Sequence, residues 1–161
     1  TPAEIEDWIA HGCELDIIQR KYSMLTRDVE AEILPLCQKH GMSFHAYSPI
    51  ERGILAGTVP GDRVVPAGDA RDGQLWWKPE RLPHAVEFVH SLEDIAAAHE
   101  CTLVQLAVAF LRSSGDFVNV ICGAHKPHQI EADAPAADVK LTEQEVATIR
   151  ERLAALEAKF A

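Results

Sequence analysis

The chain has 161 residues and a formal charge of −10, which argues against a nucleic-acid binder that must neutralise phosphates with Lys and Arg. Its composition, 47% hydrophobic and 25% charged, is that of a soluble globular protein with one core. No apolar run approaches the ~20 residues of a membrane span, and no secretory signal opens the sequence.

A cytoplasmic location is therefore expected. The first residue is Thr1 rather than Met, which reads as a start inside a longer product or after processing. Cys13, Cys37, Cys101 and Cys122 form no C-x-x-C pair, so reduced thiols acting as buried small hydrophobes are expected. The histidines contain no H-E-x-x-H pattern. His125 and His128 lie three apart but lack a completing thiol or carboxylate, and no metal site is assigned.

Thr1-Pro2-Ala3-Glu4 is a capping box with proline in the first helical position, and its helix should end near His11 before Gly12. Leu15 to Gln19 reads as a short strand. A helix is expected from about Asp28 to His40, with Pro35 kinking it or shifting its boundary, and Gly41 stopping it. Met42 to Tyr47 is a second strand, ended by Ser48-Pro49. From Ile50 to Pro83 the chain is rich in Gly and Pro and has no sustained period, the mark of a long functional or mobile loop.

One helix is expected from about His84 to His99, with Val86, Val89, Leu92, Ile95 and Ala96 on one face. Thr102 and Gln105 cap the next, whose stripe is Leu103, Leu106, Ala107 and Phe110. Phe117 to Cys122 is a third strand, Gly123-Ala124 turns into another helical stretch, and Thr142 to Glu145 caps a terminal amphipathic helix.

Strands alternating with helices imply a parallel sheet joined by right-handed crossovers. About three strands leave two unpaired edges and an uncovered face, which makes a poor domain alone. A closed (β/α)8 TIM barrel would remove both problems but takes about 250 residues. The expected fold is thus α/β, the C-terminal part of such a barrel: about three parallel strands with flanking helices.

In these barrels the active face is built by the loops after the strand ends. Gln19 carries an amide able to read a carboxamide, or serves simply as a polar strand cap. Tyr47 offers a flat ring to a heterocycle, and Ser48 with the backbone around Gly53 and Gly57 could meet a pyrophosphate; a turn that needs glycine explains the same residues. Gly123 to Gln129 leads into a helix start, where free N–H groups, His125 and Lys126 suit phosphate, or form an ordinary turn. There is no Walker loop and no G-x-G-x-x-G.

Taken in order, these segments resemble the aldo-keto reductase family over nearly the whole chain. The resemblance rests on Gln19-Arg20-Lys21-Tyr22-Ser23-Met24-Leu25 with Arg27 and Glu30, on Glu32-Ile33-Leu34-Pro35, and on Ala46-Tyr47-Ser48-Pro49-Ile50. It continues through Arg52-Gly53-Ile54-Leu55, Gly57, Leu106 to Leu111, Gly123-Ala124, Gln129 and Leu141-Thr142. It implies that residues 1–161 are the C-terminal part of a single barrel domain and that 50–83 is a long loop over the cofactor and substrate face.

It further implies an oxidoreductase that reduces aldehydes or ketones with NADPH, NADH being the alternative. Tyr47 would stack on the nicotinamide and Gln19 would hold its carboxamide. Ser48, Pro49, Ile50 and Gly53 would line the pyrophosphate, and Gly123, His125, Lys126, Gln129 and Asp133 would surround the adenosine end. Arg71 would assist from the loop, or be a solvated charge. The family's Asp, Tyr, Lys and His tetrad belongs to the half of the barrel before Thr1, so no catalytic residue is assigned. The expected partners are a small carbonyl substrate and the N-terminal half of the barrel, with association of copies through exposed edges a further option.

Departures from the family pattern stand at His125, at Ala132-Asp133 where relatives have Glu-Asn, at Thr58 in place of a lysine, and at Trp76 in place of an arginine. Fewer cations for a 2′-phosphate should loosen the preference for NADPH over NADH. The competing reading is a non-catalytic relative, a regulatory or scaffold module. Trp76 and Trp77 would wall an apolar substrate pocket or pack against the barrel rim.

Overall fold

The computed structural model describes residues 1–161. Thr1 opens α1 (Pro2–Ala10) with the expected reciprocal cap: its hydroxyl accepts the Glu4 N–H at 3.3 Å, and the Glu4 carboxylate reaches back to the chain's amino terminus. His11 ends the helix and Gly12 turns left-handed at φ 82°. Strand β1 is Ile17–Lys21, two residues later than its sequence pattern suggests. Pairing decides this, because the Ser43 N–H bonds the Asp16 carbonyl at 2.8 Å and the parallel register runs on from Ile17↔Ser43 to Lys21↔Tyr47.

The expected helix from Asp28 is two pieces, a 3-10 turn at Asp28–Glu30 and α2 (Ile33–His40). Pro35 is the third residue of α2, where an N–H would have no intrahelical acceptor, so it is accommodated without a kink. Strand β2 (Ser43–Tyr47) follows the left-handed Gly41. The expected helix from His84 to His99 is also two, α3 (Leu82–His90) and α4 (Glu93–Ala98). At the break the Leu92 N–H bonds back only three residues to Val89, and the freed Ser91 carbonyl accepts from Arg152. Then come α5 (Leu103–Arg112), β3 (Val118–Ile121), α6 (Pro127–Asp133) and α7 (Glu143–Glu157).

The sheet order is β1-β2-β3, all parallel. Partners in such a ladder share a face. Ile18, Phe44 and Val118 form one row on the helix-covered side, where Phe44 and Ala46 are fully buried. The core continues through Leu106 and Phe110 of α5 and Ile149 and Leu153 of α7. The opposite face is bare: Ile17 is 52% exposed and Tyr47 and Ile121 are 42% exposed, with Gln19 and Asn119 beside them.

Both outer edges lack a neighbouring strand. A groove of about 490 Å³ runs between α1 and β1, lined by Ile5, Trp8 and Ile17, and another of about 410 Å³ flanks β3. A bare inner face with two open edges is the geometry of a section of barrel wall.

The stretch from 50 to 83 is more ordered than its composition implies. It contains 3-10 turns at Glu51–Ala56 and Leu75–Trp77, and buries Ile54, Leu55, Trp76 and Trp77. Of the cysteines, Cys37 is buried as expected, whereas Cys101 and Cys122 are only half-buried and Cys13 is exposed beside the Gly12 turn. No single helix is long and apolar enough to cross a membrane.

Candidate functional site

The strand ends Lys21, Tyr47 and Ile121 lie side by side in register. Tyr47 therefore stands at the centre of the C-terminal rim, on the bare face. Gln19 does not end β1 as the sequence suggested. It sits in the row beneath, beside His45 and Asn119, and faces the same side as Tyr47. One strand across and two residues down place the two Cα atoms about 8 Å apart.

After Tyr47 the backbone leaves the sheet through an unusual turn. Ser48, Glu51 and Arg52 are left-handed with φ of 55°, 48° and 55°, and Gly53 follows at 109°. Each such non-glycine residue costs roughly 1 kcal/mol or more, so the surroundings must hold it. Glu51 supplies that hold. Its side chain is 1% exposed and accepts hydrogen bonds from Ser23 Oγ at 2.7 Å and Thr26 Oγ1 at 3.1 Å, and it pairs with Lys21 Nζ. Its carbonyl accepts the Trp77 indole N–H at 3.1 Å.

Pro49 is buried and Ile50 half-buried in the same turn. Glu51 was not foreseen from the sequence, since nothing in Ile50-Glu51-Arg52 marks a buried carboxylate. Trp76 and Trp77 prove to be packing residues, the Trp76 indole donating to the Leu25 carbonyl at 2.5 Å.

Gly123 lies two residues beyond Ile121, with open space where a Cβ would stand. His125 and Lys126 are exposed, but their backbone N–H groups donate to Gln129 Oε1 at 2.8 and 3.0 Å. Two of the backbone donors that the sequence offered to a phosphate are thus engaged within the turn, and Gln129 keeps only its amide nitrogen free of that role. Asp133 ends α6, about 9 Å along the helix axis from Pro127. It faces the groove beside β3 with Cys122, where burial raises its carboxyl above the usual range. The Cys122 thiol is pushed up by burial and by Asp133.

Arg71 is engaged too, with Nε 3.1 Å from Asp69 and its guanidinium 5.2 Å from the Trp77 ring centroid. It lines a pocket of about 390 Å³ with Arg63 and Lys78. The topology therefore sets Tyr47, Ser48 and Gly123 at one rim with Gln19 a row below on the same face, while Asp133 lines the groove beside β3 and Arg71 lies over Trp77, whose indole bonds the Glu51 carbonyl.

The family model for aldo/keto reductases matches residues 1–154. The chain belongs to the aldo/keto reductase family. It is 35% identical over 153 residues to the NADH-specific methylglyoxal reductase of Escherichia coli strain K12, covering 95% of this chain and 46% of that protein. It is 31% identical over 134 residues to the probable aldo-keto reductase 1 of Glycine max, covering 83% and 38%.

Among solved structures, a glycerol dehydrogenase from Gluconobacter oxydans superposes with a TM-score of 0.87 at 25% identity, over 94% of this chain and 46% of that one. A thermostable aldo-keto reductase crystallised with the inhibitor epalrestat matches in fold, with a TM-score of 0.60 at 24% identity, over 84% and 39%. The chain spans less than half the length of each of these relatives.

Within this aldo/keto reductase chain, Tyr22 is no candidate acid toward a substrate. It is fully buried, donates to Glu30 at 2.7 Å and lies 2.9 Å from Ser114 Oγ. Burial pushes its phenol well above the ordinary tyrosine value.

Proposed function

We propose that the whole protein reduces small aldehydes or ketones with a reduced nicotinamide cofactor, this chain supplying much of the cofactor-binding side and no acid–base residue. The observation that carries this reading is the exposed Tyr47 ring at the centre of the strand-end rim. Gln19 lies on the same face below it and the left-handed turn beside it. A flat, half-exposed ring suits stacking on an aromatic heterocycle, and an amide on the same face suits a carboxamide.

In this proposal Tyr47 and Gln19 orient the nicotinamide. Ser48, Pro49, Ile50 and Gly53 line the pyrophosphate, where the backbone can approach closely. Gly123, His125, Lys126, Gln129 and Asp133 contribute to the adenosine end, and Arg71 closes from the long segment. Residues 1–161 form the C-terminal part of one barrel domain, with 50–83 over the cofactor and substrate face. When bound, the cofactor supplies hydride to the carbonyl carbon. The chain's residues hold it, and Trp76 and Trp77 anchor the 50–83 segment to the Leu25 and Glu51 carbonyls beside the turn that follows Tyr47.

We further infer a weak preference between NADPH and NADH. His125 and Lys126, just before α6, are offset by Glu131 and Asp133 on that short helix, so a 2′-phosphate gains little net attraction there. One relative is named for NADH specificity, which supports NADH as a cofactor to be titrated beside NADPH. Titration of the full-length protein with each reduced cofactor should give affinities within about tenfold of each other. A large preference for NADPH would contradict the inference, and binding without turnover across aldehydes and ketones would favour the non-catalytic alternative.

A further inference from the structure

We propose that Glu51 is a positioning residue for the cofactor, acting through the turn that follows Tyr47; the assignment rests on the cofactor reading above. The turn places three non-glycine residues in left-handed backbone within five positions, at Ser48, Glu51 and Arg52. Such a conformation persists only when its surroundings over-determine it. Local hydrogen bonds are part of the answer, since Glu51 N donates to the Ser48 carbonyl at 3.0 Å and Gly53 N to that of Ile50 at 2.9 Å.

The rest comes from one carboxylate. Oε2 of Glu51 accepts from Ser23 and Thr26, and Oε1 pairs with Lys21. These donors lie at the end of β1 or just after it. The Glu51 carbonyl is in turn fixed by the Trp77 indole. The side chain thus ties the rim of β1 to the turn of β2, while its backbone ties that turn to Trp77 of the 50–83 segment.

A buried ionised carboxylate is costly unless paired and hydrogen-bonded, and here both conditions are met. The Lys21 pairing has a second effect. Lys21 is in register with Tyr47, and its ammonium is drawn to Glu51, so it does not present an uncompensated cation beside the Tyr47 ring. Apolar packing alone would bury the turn but would not select its left-handed path.

The test uses the full-length protein and its Glu51→Gln, Glu51→Leu and Lys21→Met/Glu51→Leu variants. Tryptophan fluorescence is titrated with NADH and with NADPH, and thermal melting is measured in parallel. Glu51→Leu should weaken binding of both cofactors by about tenfold. Glu51→Gln keeps an oxygen acceptor for Ser23 or Thr26, so it should weaken binding less.

In the double variant no lone ammonium remains, so melting should recover toward that of the unsubstituted protein while cofactor affinity stays low. A merely structural role would make affinity follow stability. Affinity that recovers together with melting would overturn the assignment, as would unchanged affinity in Glu51→Leu. If Glu51→Leu does not fold, Glu51→Gln decides: unchanged affinity overturns the assignment, and a several-fold loss supports it. Absence of any response to either cofactor in the unsubstituted protein overturns the cofactor reading and this assignment together.

Discussion

Asp94 accepts two Arg152 N–H groups, each at 2.7 Å, and the N–H of Ile95 at 2.9 Å. The Arg152 hydrogen bonds, helped by the backbone N–H, hold its carboxyl down to about 2. A depressed carboxyl stabilises the fold above its unfolded value of about 4, and that contribution is lost as pH falls through 2. Asp94→Asn should therefore lose less stability than the parent between pH 4 and pH 2, as read by urea denaturation at each pH. Asp94 is largely exposed and Arg152 only half-buried, so the difference should be small.

Tyr22 poses a different case. Tyr22→Phe removes a donor to Glu30, but Glu30 keeps its Arg150 partner at 2.8 Å while Ser114 loses its contact. A cost of about 1 kcal/mol is expected from denaturation curves. Tyr47 and Gln19 were legible in the sequence because each sits at or near the end of an apolar run and stands out by chemistry. Glu51 was not, because its partners Lys21, Ser23 and Thr26 come from a segment that only folding brings near.

The helix starts were the most readable elements. Thr1 with Glu4, Thr102 with Gln105, and Thr142 with Glu145 each form the reciprocal cap that a three-residue spacing announces. Thr142→Ala should cost about 1 kcal/mol of stability by chemical denaturation.

The α3–α4 break is fixed by Arg152 of α7, and the start of β1 by its pairing with β2, so neither was visible in local periodicity. The segment after β2 docks on α5 through Gly57, whose φ is 73° and where an added Cβ would stand 2.5 Å from Leu103 Cδ1. Gly57→Ala combines an unfavourable backbone with that clash and should destabilise by roughly 1–2 kcal/mol, read as a lowered melting temperature.

The whole molecule has one finished side and one open side. The helices and α7 close the outer face, while Tyr47, Ile17 and Ile121 stand on a bare inner face between two grooved edges. That imbalance was legible from the count of strands, since a three-stranded parallel patch cannot cover itself. Which of the expected cofactor contacts share the rim was not, because it depends on the length of α6 and on where the 50–83 segment folds back. If the remaining barrel strands cover this face, residues 1–161 alone should bind a dye specific for apolar surface and associate with concentration, and the full-length protein should do neither to the same degree.

A nicotinamide cofactor lying across the rim of β1, β2 and β3, stacked on Tyr47, is the arrangement on which the functional account depends. The most direct measurement is fluorescence titration of the full-length protein and its Tyr47→Ala variant with NADH and NADPH. Saturable binding weakened about tenfold in the variant, with melting unchanged, is the predicted result. Equal affinity in the two proteins would contradict it.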